Sequence, residues 1–186
     1  MDASLIARSR AACIRWAALG LGLASAAGAW AAGLSFESAG ARFGFGASSS
    51  NNDFHQAEAF VDWNLPWSLD LGKKWDLESR LDSSAGWLGN NHSSAAVVST
   101  GPLLAVGSEH LPIGFEGGAG PTVISRQDFA TKDFGDPFQF TSHVGLYWDI
   151  TKRWRFGYRF QHMSNAGISA HNPGINLNML ALSYRF

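Results

Sequence analysis

Apolar and polar side chains alternate along much of this chain with a period of two, the spacing of a strand whose two faces meet different surroundings. The pattern is clearest over residues 75–87, where Trp75, Leu77, Leu81, Ala85 and Trp87 share one phase and Asp76, Glu78, Arg80, Asp82 and Ser84 the other. Residues 138–150 repeat it, with Phe138, Phe140, Val144, Leu146, Trp148 and Ile150 opposed to Gln139, Thr141, His143, Tyr147 and Asp149. Residues 153–164 set Trp154, Phe156, Tyr158 and Phe160 against Arg153, Arg155, Arg159 and Gln161. Turn-forming residues divide the chain into eight segments, at 34–46, 54–65, 74–87, 95–106, 111–124, 138–150, 153–164 and 175–186. The fourth and fifth carry the weakest pattern, being rich in Gly, Ala and Val and interrupted or flanked by Pro102, Pro112 and Pro121.

Strands with aromatics on one face and carboxylates and guanidiniums on the other suit a closed sheet in a membrane, apolar outward and polar inward. The predicted fold is all-β, an eight-stranded antiparallel transmembrane β-barrel, which hides its apolar residues in alternation rather than in runs. In so small a barrel the lumen has room for side chains but not for a channel. Inward arginines must then pair with inward acids such as Glu58, Asp62, Glu78 and Asp82. Thr151-Lys152 and the stretch around Gly107-Ser108 read as tight turns, whereas 47–53, 88–94, 125–137 and 165–174 are longer and polar. Short periplasmic turns and longer external loops are the rule for such barrels, so both ends of the barrel chain are expected on the periplasmic side. The last strand places Leu180, Leu182, Tyr184 and Phe186 in one phase, and this aromatic ending resembles the assembly signal of outer-membrane barrels.

Residues 1–31 look like a cleaved signal peptide: Arg8, Arg10 and Arg15 precede an apolar run at 16–27, and Ala29-Trp30-Ala31 suits the cleavage site. That run is shorter than the ~20 residues of a membrane-spanning helix. The expected organisation is thus 1–31 as signal peptide and 32–186 as the outer-membrane barrel domain. Without residues 1–31 the chain keeps 11 basic and 14 acidic residues, a net charge of −3 with His neutral, which argues against nucleic acid as a partner. The one cysteine, Cys13, lies within the signal, so no disulfide or thiol chemistry is expected. His55, His92, His110, His143, His162 and His171 are scattered without zinc-ligand spacing, so neither metal nor cofactor is expected.

The candidate chemistry lies near the end of the chain. His162 and Ser164 continue the outward phase of Trp154, Phe156, Tyr158 and Phe160, close to the external end of their strand. Two residues along a strand are about 6.6 Å apart, and side chains leaning together close that to hydrogen-bond reach. Ser164 is then a candidate nucleophile and His162 its general base. The competing reading is that both simply end a strand at the wet interface. Phe160, Met163, Phe138, Phe140 and Leu180 are candidates to line an apolar groove on the barrel wall, although plain lipid contact explains each of them equally well. Arg159 and Arg185 fall in the inward phase and Arg126 and Lys132 in a loop, so no phosphate site is legible.

The segment His162-Met163-Ser164-Asn165-Ala166-Gly167, followed by Asn172-Pro173-Gly174 and the ending Tyr184-Arg185-Phe186, resembles the outer-membrane lipid A 3-O-deacylase family (PagL-like). The resemblance is most specific over 159–186. It implies an esterase that hydrolyses the 3-O-linked acyl chain of lipid A, with lipopolysaccharide of the outer leaflet as partner and the site facing that leaflet near the external rim. It makes His162 the base and Ser164 the nucleophile, and aligns Asn165, Gly167 and Asn172 with a polar loop that supplies oxyanion donors, Asn172 and the Gly167 N–H being favoured. It also implies a glutamate two residues after the loop glycine, where this chain has Asn176. If residues 165–174 close the hairpin, Ser164 lies near Asn176 and His162 near Asn178. Asn176, Asn178 and Asp136 therefore all stand as partners for the imidazole. Two alternatives follow: a weakly active member of the family because Asn176 replaces the acid, and a non-enzymatic structural or adhesive barrel. A homodimer is compatible with either.

Overall fold

The computed structural model describes residues 34–186, and the expected signal peptide and its cleavage site lie outside the described residues. Among the described residues eight strands run in chain order: β1 (Ser35–Gly46), β2 (His55–Gly72), β3 (Trp75–Gly89), β4 (Ser94–Ser108), β5 (Leu111–Ile124), β6 (Phe138–Asp149), β7 (Trp154–Ser164) and β8 (Ile175–Arg185). Each pairs antiparallel with its neighbours, and β8 returns to β1 from Ser38↔Arg185 to Gly46↔Leu177, closing the barrel. Closure leaves no exposed sheet edge, as a β-structure in lipid requires.

The alternation reads directly as inside and outside. Arg80, Asp82 and Ser84 are buried in the lumen while Trp87, in the other phase, is 67% exposed. Arg155, Arg159 and Gln161 point inward and Trp154, Phe156, Tyr158 and Phe160 outward. Three of the four expected acids, Glu58, Glu78 and Asp82, pair with arginines, whereas Asp62 instead accepts a hydrogen bond from the Ser38 hydroxyl at 2.8 Å. Arg42 meets Glu58 at 3.0 Å and Asp82 at 2.8 Å, and Arg159 meets Glu58 at 3.1 Å. Burying several charges together is tolerable only when each finds opposite charge and hydrogen bonds.

The β2–β3 hairpin differs from the sequence reading, whereas β4 and β5, the segments with the weakest pattern, form as expected. Residues 66–73 were expected to be a loop, but β2 continues to Gly72 through an irregularity between Asn64 and Ser68 that accommodates Pro66. A bulge is one of the few places in a sheet where proline's missing donor costs little. The hairpin then turns on two residues, Lys73 and Lys74, both with positive φ, the backbone that a tight hairpin needs. The proline-bearing β4 and β5 form in full because Gly101 and Gly120 let the backbones approach: a Cβ on Gly120 would stand 2.1 Å from the Thr100 carbonyl oxygen.

The four longer connections gather at one end. There Phe54, Phe129 and Phe134 stack with ring centroids 5.5–6.1 Å apart and join Leu88, Ile124, Met163, Ile175, Leu177 and Met179 in an apolar plug. This plug covers the lumen and gives the loops a floor. At the opposite end Phe36, Trp63, Trp154, Tyr184 and Phe186 form an outward aromatic cluster, the interface girdle typical of these barrels.

Candidate active site

Strand β7 carries the candidate pair up to the long-loop end. Its outward phase keeps His162 and Ser164 on the lipid-facing wall, both half-buried, whereas Met163 between them points inward and is 1% exposed. Met163 therefore belongs to the plug and not to an acyl groove on the wall. Phe138, Phe140, Phe160 and Leu180 all remain on the outer surface.

The β7–β8 register pairs His162 with Asn176 and Phe160 with Asn178, ending at Met163↔Ile175. This is two residues from the expected pairing. The last pair, Met163↔Ile175, leaves residues 164–174 to make the connection, and Gly174, just before β8, has a φ of 57°. With that register Asn176 Oδ1 accepts a hydrogen bond from His162 Nδ1 at 2.7 Å. An amide oxygen is only an acceptor, so Nδ1 carries a hydrogen, and in the neutral ring Nε2 is then the nitrogen with the lone pair. The other partners considered for the imidazole are engaged elsewhere. Asn178 Oδ1 accepts from the Tyr158 hydroxyl at 2.7 Å, and Asp136 Oδ1 accepts from the Phe138 N–H at 2.7 Å.

The far edge of the imidazole is backed by Gly174. A Cβ there would lie 3.0 Å from His162 Cε1 and 3.6 Å from Nε2, so a side chain would press on the ring, and the left-handed φ of 57° favours glycine as well. Nδ1 thus faces Asn176 and the Cε1–Nε2 edge faces Gly174. Among the described residues the Ser164 hydroxyl has no hydrogen-bond partner, His162 included. Contacts between a nucleophile and its base are often long before substrate arrives.

The loop 165–174 has an internal staple. Asn165 is fully buried, and its Nδ2 donates to the carbonyls of Phe134 (2.9 Å) and His171 (2.7 Å) and to Ser169 Oγ (2.8 Å). Its Oδ1 accepts the Gly167 N–H at 2.9 Å. The Asn165 amide and the Gly167 N–H, both expected as oxyanion donors, are therefore used in folding the loop. Asn172 Oδ1 accepts the Asn165 N–H at 3.1 Å, and its Nδ2 has no partner among the described residues. Of the loop donors expected, Asn172 Nδ2 is the one left free.

Two neighbours escaped the sequence reading. Ser142 on β6 pairs with His162 and faces outward, adding a third small polar side chain to the wall. Its signal was present, since Ser142 interrupts the outward run from Phe138 to Ile150. Lys132, in the loop between β5 and β6, donates to the Gly174 carbonyl at 2.9 Å and to Asn51 Oδ1. Nothing in periodicity announces such a loop-to-loop contact.

Comparison with known proteins bears on the same region. The family model described as Lipid A 3-O-deacylase (PagL) matches residues 55–185, which include every residue of the candidate site. The lipid A deacylase PagL of Bordetella bronchiseptica is 35% identical over 140 residues, covering 71% of this chain and 78% of that protein. The crystal structure of the outer membrane enzyme PagL superposes with a TM-score of 0.68 at 19% identity, covering 78% of this chain and 97% of that one, a likeness of fold. The family match and the identity to a curated relative lead to one conclusion: the chain belongs to the lipid A 3-O-deacylase (PagL) family.

Proposed function

We propose that this barrel is an outer-membrane esterase that removes the 3-O-linked acyl chain of lipid A, with Ser164 as nucleophile and His162 as general base. The observation that carries the reading is the 2.7 Å contact of His162 Nδ1 with Asn176 Oδ1 on the face that also bears Ser164. It leaves Nε2 as the proton acceptor at the rim. Longer loops of such barrels face outward, so the pair lies at the level of the outer leaflet, where lipid A already resides. A substrate held in the leaflet needs no deep pocket. Its acyl chain descends along the wall past Phe140 and Phe160.

In the reaction the Ser164 hydroxyl attacks the ester carbonyl carbon while His162 Nε2 accepts its proton. The tetrahedral oxyanion takes a hydrogen bond from Asn172 Nδ2. Collapse breaks the bond to the sugar oxygen, which leaves with the proton from His162, and the acyl group stays on Ser164. A water molecule deprotonated by His162 then attacks the acyl-serine, the bond to Ser164 Oγ breaks as His162 returns the proton to that oxygen, and the fatty acid is released. Asn176 takes no part in bond making. It holds the imidazole in the Nδ1–H tautomer, as the amide does in Cys-His-Asn sites.

Mass spectrometry of lipid A from cells expressing the protein tests this. Wild type should remove one ester-linked acyl chain, and Ser164→Ala and His162→Ala should lower the rate by roughly 10³-fold or more with the barrel still folded. Unchanged lipid A with well-folded wild type would sink the proposal and favour a surface barrel without catalysis.

A further inference from the structure

We infer that Lys132 is a positioning residue for catalysis: its ammonium fixes the start of β8 and, through Gly174 and Asn176, holds the His162 imidazole. The inference rests on the esterase reading above and adds to it a residue on a different loop, 30 positions before His162.

Lys132 Nζ donates to two acceptors that belong to separate connections, the Gly174 carbonyl at 2.9 Å in the β7–β8 loop and Asn51 Oδ1 in the β1–β2 loop. Asn51 is buried at 3% exposure, so this anchor is fixed against the plug. The ammonium lies 5.9 Å from the centre of the Phe54 ring, within reach of a cation–π attraction. Burial lowers the pKa of Lys132 from its ordinary value, and Asp53 opposes that shift. A partly buried ammonium is held in place only where its donors are used, and here one cation spans three loops.

What it holds touches the imidazole twice. Gly174 backs the Cε1–Nε2 edge, where a Cβ would stand 3.0 Å from Cε1, and Asn176 two residues on accepts from Nδ1. The Asn176 carbonyl in turn accepts the Ala47 N–H at 2.9 Å, tying the same short segment to the end of β1. Rotation of the 174–176 backbone therefore moves both contacts to His162 together. Free of Lys132, this segment is the start of a strand beside a ten-residue loop, the part of a β-structure that opens most readily.

The test compares Lys132→Met, which keeps the stem over Phe54 but removes the donors, with Lys132→Arg, which restores them. Each purified variant is assayed on lipid A in detergent micelles and on a phosphate-free p-nitrophenyl fatty-acid ester, after heat-modifiable gel mobility shows a folded barrel. Expected is a fall in kcat of about tenfold to a hundredfold for Lys132→Met, the scale of a small misplacement of reacting groups, equal on both substrates and with KM unchanged. Lys132→Arg should recover most of it. Activity equal to wild type, or a rise in KM confined to the phosphorylated substrate, would overturn the inference, the latter by making Lys132 a substrate contact. Nitrogen-15 NMR of the histidine rings, with the His162 signal assigned by its loss in His162→Gln, separates this from failure of the esterase reading. Wild type should show one Nδ1–H tautomer at His162 and Lys132→Met a mixture, whether or not lipid A is cleaved. An unchanged tautomer in Lys132→Met would overturn the inference even in an active enzyme.

Discussion

Asn176 is the residue on which the chemistry of this site turns. It accepts from His162 Nδ1 and so sets the tautomer, but a neutral amide adds no charge to stabilise the imidazolium that forms when Nε2 takes the serine proton. Orientation and charge are therefore separable by substitution. Asn176→Leu removes the acceptor, frees the ring to adopt the wrong tautomer and should lower kcat by about 10²-fold, within the ~10⁴-fold loss recorded for the wrong tautomer in a serine protease. Asn176→Glu keeps an acceptor at the same place and adds a carboxylate. An opposite charge within ~4–6 Å favours imidazolium, so the acidic limb of the kcat/KM profile should move to higher pH while kcat on the plateau rises. A profile that does not move would mean that residue 176 does not touch the base during turnover.

At the level of elements, the site is the product of one hairpin and its loop. Asn165 is the loop's internal strut: its side chain makes four hydrogen bonds, to Phe134, Ser169, His171 and Gly167. Asn165→Ala leaves the partners in a buried setting without it, at about 1–3 kcal/mol for each unsatisfied group. Opening of 165–174 should become roughly tenfold or more faster by limited proteolysis, with deacylation falling in step and the thermal midpoint of the barrel little changed. If the loop stays protected, the strut is dispensable. The same hairpin shows what periodicity reveals and what it does not. The placement of His162 and Ser164 on the outer wall followed from a period of two, because a strand in a barrel has only two faces. The partner of His162 did not follow, because register depends on where the turn closes, and alternation along a strand does not carry that point: His162 pairs with Asn176, two residues from Asn178. The roles of Asn165 and Gly167 were equally hidden, since whether a polar loop group meets substrate or its own backbone is set by the fold of the loop. β2 runs past the predicted end at residue 65 because the irregularity between Asn64 and Ser68 carries the chain through Pro66, and alternation does not foresee a bulge.

Over the whole molecule, a polar lumen and an apolar plug divide the work of holding the barrel shut beneath the site. At mid-lumen Arg42 bridges Glu58 and Asp82 and lies 3.9 Å from the centre of the Phe60 ring, while Arg159 approaches the same two carboxylates. These side chains fill the section, and the cavities beside them, of 30 and 20 Å³, admit a water or two rather than a pore. A layer with so little free space and so many charges depends on balance more than on any one attraction. Arg42→Met removes one cation from between Glu58 and Asp82 and leaves them to share Arg159, so unfolding in detergent should become easier by about 3–5 kcal/mol, the cost of stranding a buried charge. Adding Glu58→Met to Arg42→Met removes the stranded carboxylate as well, and should recover part of that loss, a coupling that a double-mutant cycle measures directly. Additive losses in the double variant would show that Arg42 stabilises the barrel by packing over Phe60 rather than by charge. Because the plug of Phe54, Phe129 and Phe134 lies between this layer and the rim, Arg42→Met should lower stability without changing kcat in the protein that remains folded.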